Sequence, residues 1–192
     1  MKGFFNQLLR INLSKQKSTV EPIPEPVLRS YLGGKGLGSY LLLKENPPHI
    51  DPFSPENHLI FTLGPLADTP FYGSSRYAVF TKSPQTGIYS ESYSGGKITL
   101  PLSRTGYDAI IIEGKSNHPI FLEISDKEVI FHSASSLWGK ETYEAEEAIL
   151  KKVGKGSGAL VIGPAGENLV KFAVIDSEHW RSLGRAGIGA VM

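Results

Sequence analysis

Cysteine is absent from the 192-residue sequence. The chain therefore forms no disulfide, supplies no thiolate to a metal and offers no thiol nucleophile, and any iron–sulfur cluster would draw its cysteines from elsewhere. An excess of one charge is lacking too. The 20 Lys+Arg face 19 Asp+Glu without long runs, a formal net charge of +1, so nothing favours nucleic acid or an anionic membrane as a partner. No apolar run is long enough to span a bilayer. The opening MKGFFNQLLRINLSKQ lacks the apolar centre of a signal peptide, and a cytoplasmic protein is expected. No G-x-x-x-x-G-K-[ST], H-E-x-x-H or G-x-S-x-G occurs, which removes P-loop, zincin and hydrolase readings. His49, His58, His118, His132 and His179 are scattered without metal-ligand spacing, and spacing alone marks no Asp, Glu or Tyr as an acid or base.

What is present is an ordinary globular composition, 40% hydrophobic and 20% charged, sufficient for one domain with a real core. The 21 Gly and 13 Pro are spread as punctuation between short elements. Gln7 to Leu13 alternates like a half-buried strand and is followed by the polar turn SKQKS, an opening hairpin. Val27, Leu28, Tyr31 and Leu32, then GGKGLG, then YLLLKE predict two helical segments joined through a glycine turn at Gly33 to Gly36. Although GGKGLG contains G-x-G, it does not follow a strand within a βαβ unit, so a helix-joining turn is favoured over a nucleotide loop. Strands are expected at 58–63, 76–81, 108–114, 120–124, 128–132, 159–163 and 171–176. ETYEAEEAILKKVG predicts a late helix with a Glu147–Lys151 pair and Gly154 as its stop. The class is α+β, dominated by strands.

Two stretches repeat one another in order. LIFTLGPLADTPFYGSSRYAVFTKSPQTG and ALVIGPAGENLVKFAVIDSEHWRSLGRAG each run apolar strand, Gly-Pro, polar loop, basic residue, aromatic-Ala-Val, then a loop closing on glycines. The closing glycines are Gly95 and Gly96 of SYSGG in the first and Gly184 and Gly187 in the second. Spacings differ between the two, and Gly-Pro after a strand is also a common turn. A true repeat would give two related β-sheet units in an internal pseudo-two-fold arrangement, each offering a glycine-rich loop whose N–H groups approach an anion closely. Arg76, Arg181 and Arg185 adjoin these loops, where guanidinium forks and free N–H groups suit phosphate.

The segments YLGGKGLGSYLLLKE, DPFSPENHLIFTLGPL, SSRYAVFTKSPQTG, SGG, GYDAIIIEGK, LWGKETYEAEEAI, GPAGENLVKFAVI and GRAGIGAVM together resemble the N-terminal domain of the tungsten-dependent aldehyde:ferredoxin oxidoreductases. The resemblance runs over nearly the whole chain and implies a single cofactor-binding domain, 1–192, of a larger enzyme. It implies a tungsten (or molybdenum) ion held by two pterins whose phosphates a Mg2+ ion bridges, with a [4Fe-4S] cluster only where later, cysteine-bearing domains are present. By position, Arg76 corresponds to the arginine reaching toward pterin and cluster. Tyr93 and Ser182 correspond to positions whose backbone carbonyls face the Mg2+. The resemblance also implies that Gly95 and Arg181 contact the pterins and that Ser94, Gly96, Gly184 and Arg185 shape the same loops. Tyr93 stands where the family pattern carries a small polar residue, and SLGRAG replaces a more alanine-rich form. The partners implied are the remaining domains or subunit, ferredoxin as electron acceptor, and a possible second copy in a homodimer. A stand-alone pterin-binding or assembly module, and a subunit of a related tungsten enzyme with another substrate, are the alternatives. The ending GRAGIGAVM reads as a strand just begun, as a truncation or gene split would leave it.

Overall fold

The computed structural model describes residues 1–192. A six-stranded sheet of order β2-β1-β6-β3-β4-β5 organises it. The strands are β1 (Gln7–Asn12), β2 (Lys17–Pro22), β3 (Leu59–Leu63), β4 (Arg76–Lys82), β5 (Tyr89–Gly95) and β6 (Ala109–Glu113). Neighbours run antiparallel except β1 and β6, which are parallel.

Strand alternation sorts the apolar side chains into two cores. On one face Leu8, Ile60, Ala78, Phe80 and Ile111 pack with Leu28 of helix α1 (Glu25–Tyr31) and Leu37, Leu41 and Leu42 of helix α2 (Gly34–Glu45). On the other, Leu9, Phe61, Tyr77, Val79 and Ile110 meet Ile98, Ile175, Leu183 and Ile188 from the later half of the chain. All five residues of β3 are buried because both faces are covered. The glycines of GGKGLG explain the intimacy of the helix layer. A Cβ on Gly38 would come within 2.2 Å of the Phe80 ring, so α2 lies on the sheet at a distance only glycine allows. The break between helices falls at Leu32 and Gly33, and Gly34 and Gly36 belong to the first turn of α2.

Smaller elements cover the second face. They are helix α3 (Thr99–Arg104), hairpin β7 (Ile120–Ile124) with β8 (Val129–Ser133), helix α4 (Thr142–Val153), the short helix α5 (Pro164–Glu167), and hairpin β9 (Ile175–Ser177) with β10 (Arg181–Leu183). Helix α4 ends at Gly154, with φ of 105°. Lys140, two residues before the helix, pairs with Glu144 at 3.4 Å; the expected Glu147–Lys151 pair is not formed.

The class is α+β with strands predominating, as expected, but the two repeat units differ in extent. The first is three full strands of the large sheet, β3, β4 and β5. In the second, 159–163 contributes one isolated bridge, Val161 to Asp176. Pro164 opens a helix instead of a turn, and strand structure within 171–177 is confined to Ile175–Ser177. With its inner apolar residues spent on a sheet already formed, this segment needs only a two-stranded lid. The ending does not begin a strand: Ile188–Ala190 is a buried turn of 3-10 helix. No helix is long and apolar enough to cross a membrane.

Candidate functional site

The residues singled out by the sequence converge at one end of the sheet, where β4 begins and β5 ends. Arg76 is paired in register with Gly95. Tyr93, Ser94 and Gly95 are therefore the last residues of a strand, and the loop proper starts at Gly96. A side chain on Gly95 would strike the Ser75 carbonyl at 2.5 Å. Gly96 has φ of +106°, and its carbonyl accepts a hydrogen bond from the Ser75 hydroxyl at 2.5 Å.

The second loop lies against the first. A Cβ on Gly96 would fall 2.3 Å from Glu178 Oε1 and 2.4 Å from Arg181 Cδ. Glu178 Oε1 accepts the Ile98 N–H at 3.0 Å. The Arg185 N–H donates to the Ser92 hydroxyl at 3.3 Å, and the Ser83 hydroxyl donates to the Ala186 carbonyl at 2.7 Å. The hairpin β9–β10 is thus laid over β5. Ser182 pairs with Asp176 across the hairpin, and its hydroxyl donates to the Asp176 carboxylate. Gly184 is exposed, with nothing closer than 3.9 Å to a Cβ placed on it.

Three guanidinium groups flank this junction, all on exposed residues. Arg181 meets a carboxylate, Glu178 Oε2 at 3.5 Å. Arg76 and Arg185 form no ion pair, unlike Arg10 and Arg104, whose charges are met by carboxylates at 2.7 and 2.9 Å. Two uncompensated arginines beside a glycine turn are a donor set for an oxyanion, above all phosphate. The residues fit a phosphate-bearing group on this ground; the glycines serve close packing, because the Ser75 carbonyl, Glu178 and Arg181 occupy the space their side chains would take.

Tyr93 resolves its own anomaly. Strand alternation places it on the helix side with Ala78 and Phe80. Its ring meets Phe80 edge-on at 6.4 Å, and its hydroxyl donates to Glu91 Oε2 at 3.0 Å. Tyr89 donates to the same oxygen at 2.7 Å, and Lys35 pairs with the other at 2.8 Å. Burial, then Glu91, raises the Tyr93 phenol well above its ordinary value. Burial likewise leads in pushing Tyr89 up to about 12. Burial also opposes ionisation of Glu91, but Lys35 and the two phenols outweigh it and hold that carboxyl below its usual range. With its side chain committed to this cluster, Tyr93 presents only main chain to the loop side.

Ser92 and Ser94 point the other way and are buried under the hairpin. The Tyr77 hydroxyl lies near Ser94 and Ser177 without a hydrogen bond of full geometry to either, and burial raises its pKa. Among the histidines, His58 is buried and hydrogen-bonded to Asn46. The ring of His179 stacks on Tyr143 at 3.6 Å. No grouping of His, Asp and Glu has the makings of a metal site.

Sequence reasoning missed Glu146 and Glu178. Glu146, on α4, is only 3% exposed and accepts the backbone N–H groups of Glu178 at 2.7 Å and His179 at 2.9 Å. A signal existed. Glu146 shares a helical stripe with Ile149, Leu150 and Val153, a position where an apolar residue is the rule.

Comparison with known proteins places the chain in a family. Residues 8–192 match the family model described as "Aldehyde ferredoxin oxidoreductase, N-terminal domain". The tungsten-containing aldehyde ferredoxin oxidoreductases of Thermococcus kodakarensis and Pyrococcus furiosus are 48% and 46% identical over 193 aligned residues, covering 100% of this chain and 32% of each relative. A solved structure, the active site complex BamBC of benzoyl coenzyme A reductase with 1,5-dienoyl-CoA, superposes with a TM-score of 0.94 at 38% identity. It covers 99% of this chain and 29% of that one. The chain thus spans about a third of the length of these relatives. It belongs to the aldehyde ferredoxin oxidoreductase family, and it is the N-terminal domain of that family that it matches.

Proposed function

We propose that this chain is the cofactor-holding N-terminal part of a cytoplasmic tungsten oxidoreductase that converts an aldehyde and water to a carboxylic acid, passing two electrons to ferredoxin. The observation that carries this is Arg76, without an acidic partner and paired in register with Gly95, together with Arg185, also without one, in the loop whose backbone N–H meets Ser92 of the same strand. The redox chemistry would be supplied by a tungsten (or molybdenum) ion on two pterins, with Mg2+ between their phosphates and a [4Fe-4S] cluster from cysteine-bearing domains.

This chain's own residues bind and orient. The guanidinium groups of Arg76, Arg181 and Arg185 would neutralise phosphate charge, and Gly95 and Gly96 let Ser75, Glu178 and Arg181 close in on the loop so that main chain faces the cofactor. Tyr93 and Ser182 contribute main-chain carbonyls toward Mg2+, while Ser94 and Gly184 shape the two loops. None of these groups is placed to take or give a substrate proton, so acid–base steps fall to the remaining domains. A homodimer of the assembled enzyme belongs to the same proposal.

In the assembled enzyme, Arg76→Ala should lose at least about half of its tungsten, because an Arg–phosphate contact is among the stronger charge-assisted hydrogen bonds. Full tungsten content and unchanged turnover would overturn the assignment. The 38% identity to the BamBC component supports a second reading, a reductase of an aromatic thioester. Turnover of benzoyl thioesters but not of aldehydes would select it.

A further inference from the structure

We propose that Glu146 is a positioning residue for the site: its carboxylate fixes the β9–β10 turn so that Glu178 ties the second loop to the first. This rests on the cofactor-holding role proposed above. The link between the two strands is Glu178, His179 and Trp180. Glu178 and His179 both adopt left-handed backbone, with φ of 50° and 67°, a conformation that costs any residue with a Cβ. The N–H groups of these two turn residues point to one carboxylate, an arrangement like the anion nests that successive N–H groups form in turns. The nest here is filled from within the chain by Glu146, 32 residues earlier, at 2.7 Å to Glu178 and 2.9 Å to His179.

A carboxylate buried to this degree is held by its partners, and its charge strengthens the bonds it accepts. Pinning the turn aims the Glu178 side chain. One of its oxygens takes the Ile98 N–H at 3.0 Å, 80 residues away in sequence, and the other faces Arg181 Nε at 3.5 Å. Both contacts adjoin Gly96, whose missing Cβ leaves room for Glu178 and Arg181. The relay from α4 through the turn to Gly96–Ile98 sets the spacing between the loops and the direction of the Arg181 guanidinium.

Glu146→Gln keeps the shape of the side chain but can accept only one of the two N–H groups. Glu146→Leu suits the apolar stripe of α4 and removes both acceptors. Amide exchange measured on the cofactor-free assembled enzyme should be faster at Glu178, His179 and Ile98, by about tenfold for the loss of one charged hydrogen bond. Ile60 and Ile110 in the sheet should keep their rates. After loading, both variants should hold less tungsten than the wild type and show a shifted tungsten(V) EPR spectrum. His179→Gly, which accepts the left-handed backbone freely, should restore part of each loss in the Glu146→Gln background.

Wild-type exchange at Ile98 in both variants would overturn the proposal, as would unaltered tungsten content and EPR. If Arg76→Ala loses tungsten while Glu146→Gln does not, the positioning role falls and the cofactor role stands. If Arg76→Ala keeps its tungsten, the cofactor role itself falls, whatever the exchange rates show.

Discussion

The two halves of the site are made differently. Gly95 ends a seven-residue strand of the main sheet and Gly96 opens the loop after it; the strand is paired residue by residue with β4 from Arg76↔Gly95 to Lys82↔Tyr89 and backed by Phe80 and α2. The Arg181–Arg185 half stands on a hairpin with three paired positions, whose turn is held by side chains from elsewhere. One half inherits its geometry from a core, and the other is held by Glu146, by Ser83 and Ser92, and by the glycines beneath it. Secondary structure fixes the first. Individual hydrogen bonds fix the second, which makes it the half that point changes can move separately.

The largest effect is expected in the core that backs the sheet half. Phe80→Ala empties the core under α2 and should cost about 3–5 kcal/mol, measured by denaturant unfolding. Loss of less than about 1 kcal/mol would mean that the sheet half is not anchored by that core. Next comes a glycine of the hairpin half. Gly187 has φ of +71°, and a Cβ there would lie 1.9 Å from the Lys171 carbonyl. Gly187→Ala should cost at least about 1–3 kcal/mol for backbone strain alone. Gly184→Ala, a few residues away in open space, should stay within about 0.5 kcal/mol, and equal costs at the two positions would erase the distinction.

Tyr93→Phe removes the hydroxyl that donates to Glu91 and should cost about 0.5–1.5 kcal/mol. Tungsten content of the assembled enzyme should not change, because only the main chain of Tyr93 faces the site; a loss of tungsten would show that the phenol is needed.

The smallest effect is a pH slope in the sheet half. Burial holds the His58 pKa below its ordinary value, with Arg10 adding to the shift and Glu113 and Glu45 opposing it. The folded histidine thus resists a proton that the unfolded chain accepts near pH 6.5, so stability falls as pH drops through about 6.5 and levels off below the folded pKa. Melting temperatures from pH 7.5 downward should show this slope in the wild type and a flatter one in His58→Gln. Identical slopes would remove His58 as the cause.

Much of this architecture was legible in the sequence. Alternation and β-branched runs marked β1, β3, β4, β6, β7 and β8, and the glycines with their neighbouring arginines marked both loops. β5 escaped because its inward residues are Ser90, Ser92 and Ser94, small enough to sit beneath the hairpin yet polar enough to read as loop. The second repeat unit looked like a sheet because apolar content in ALVIG and KFAVID reports burial, while pairing depends on a partner the sequence does not reveal. Glu146 and Glu178 were illegible for a related reason. Each matters through backbone N–H groups far away in the chain, and an acid on a helix reads as solvated unless its place in the apolar stripe is weighed.

A two-halved site requires that both loops hold one ligand. The direct test is tungsten anomalous scattering from crystals of the assembled, cofactor-loaded enzyme. A single tungsten peak per chain is expected facing the Gly95–Gly96 turn, with phosphate density reaching Arg76 on one side and Arg181 and Arg185 on the other. A tungsten peak remote from both loops, with Arg76 and Arg185 still without an anionic partner, would contradict a two-halved site.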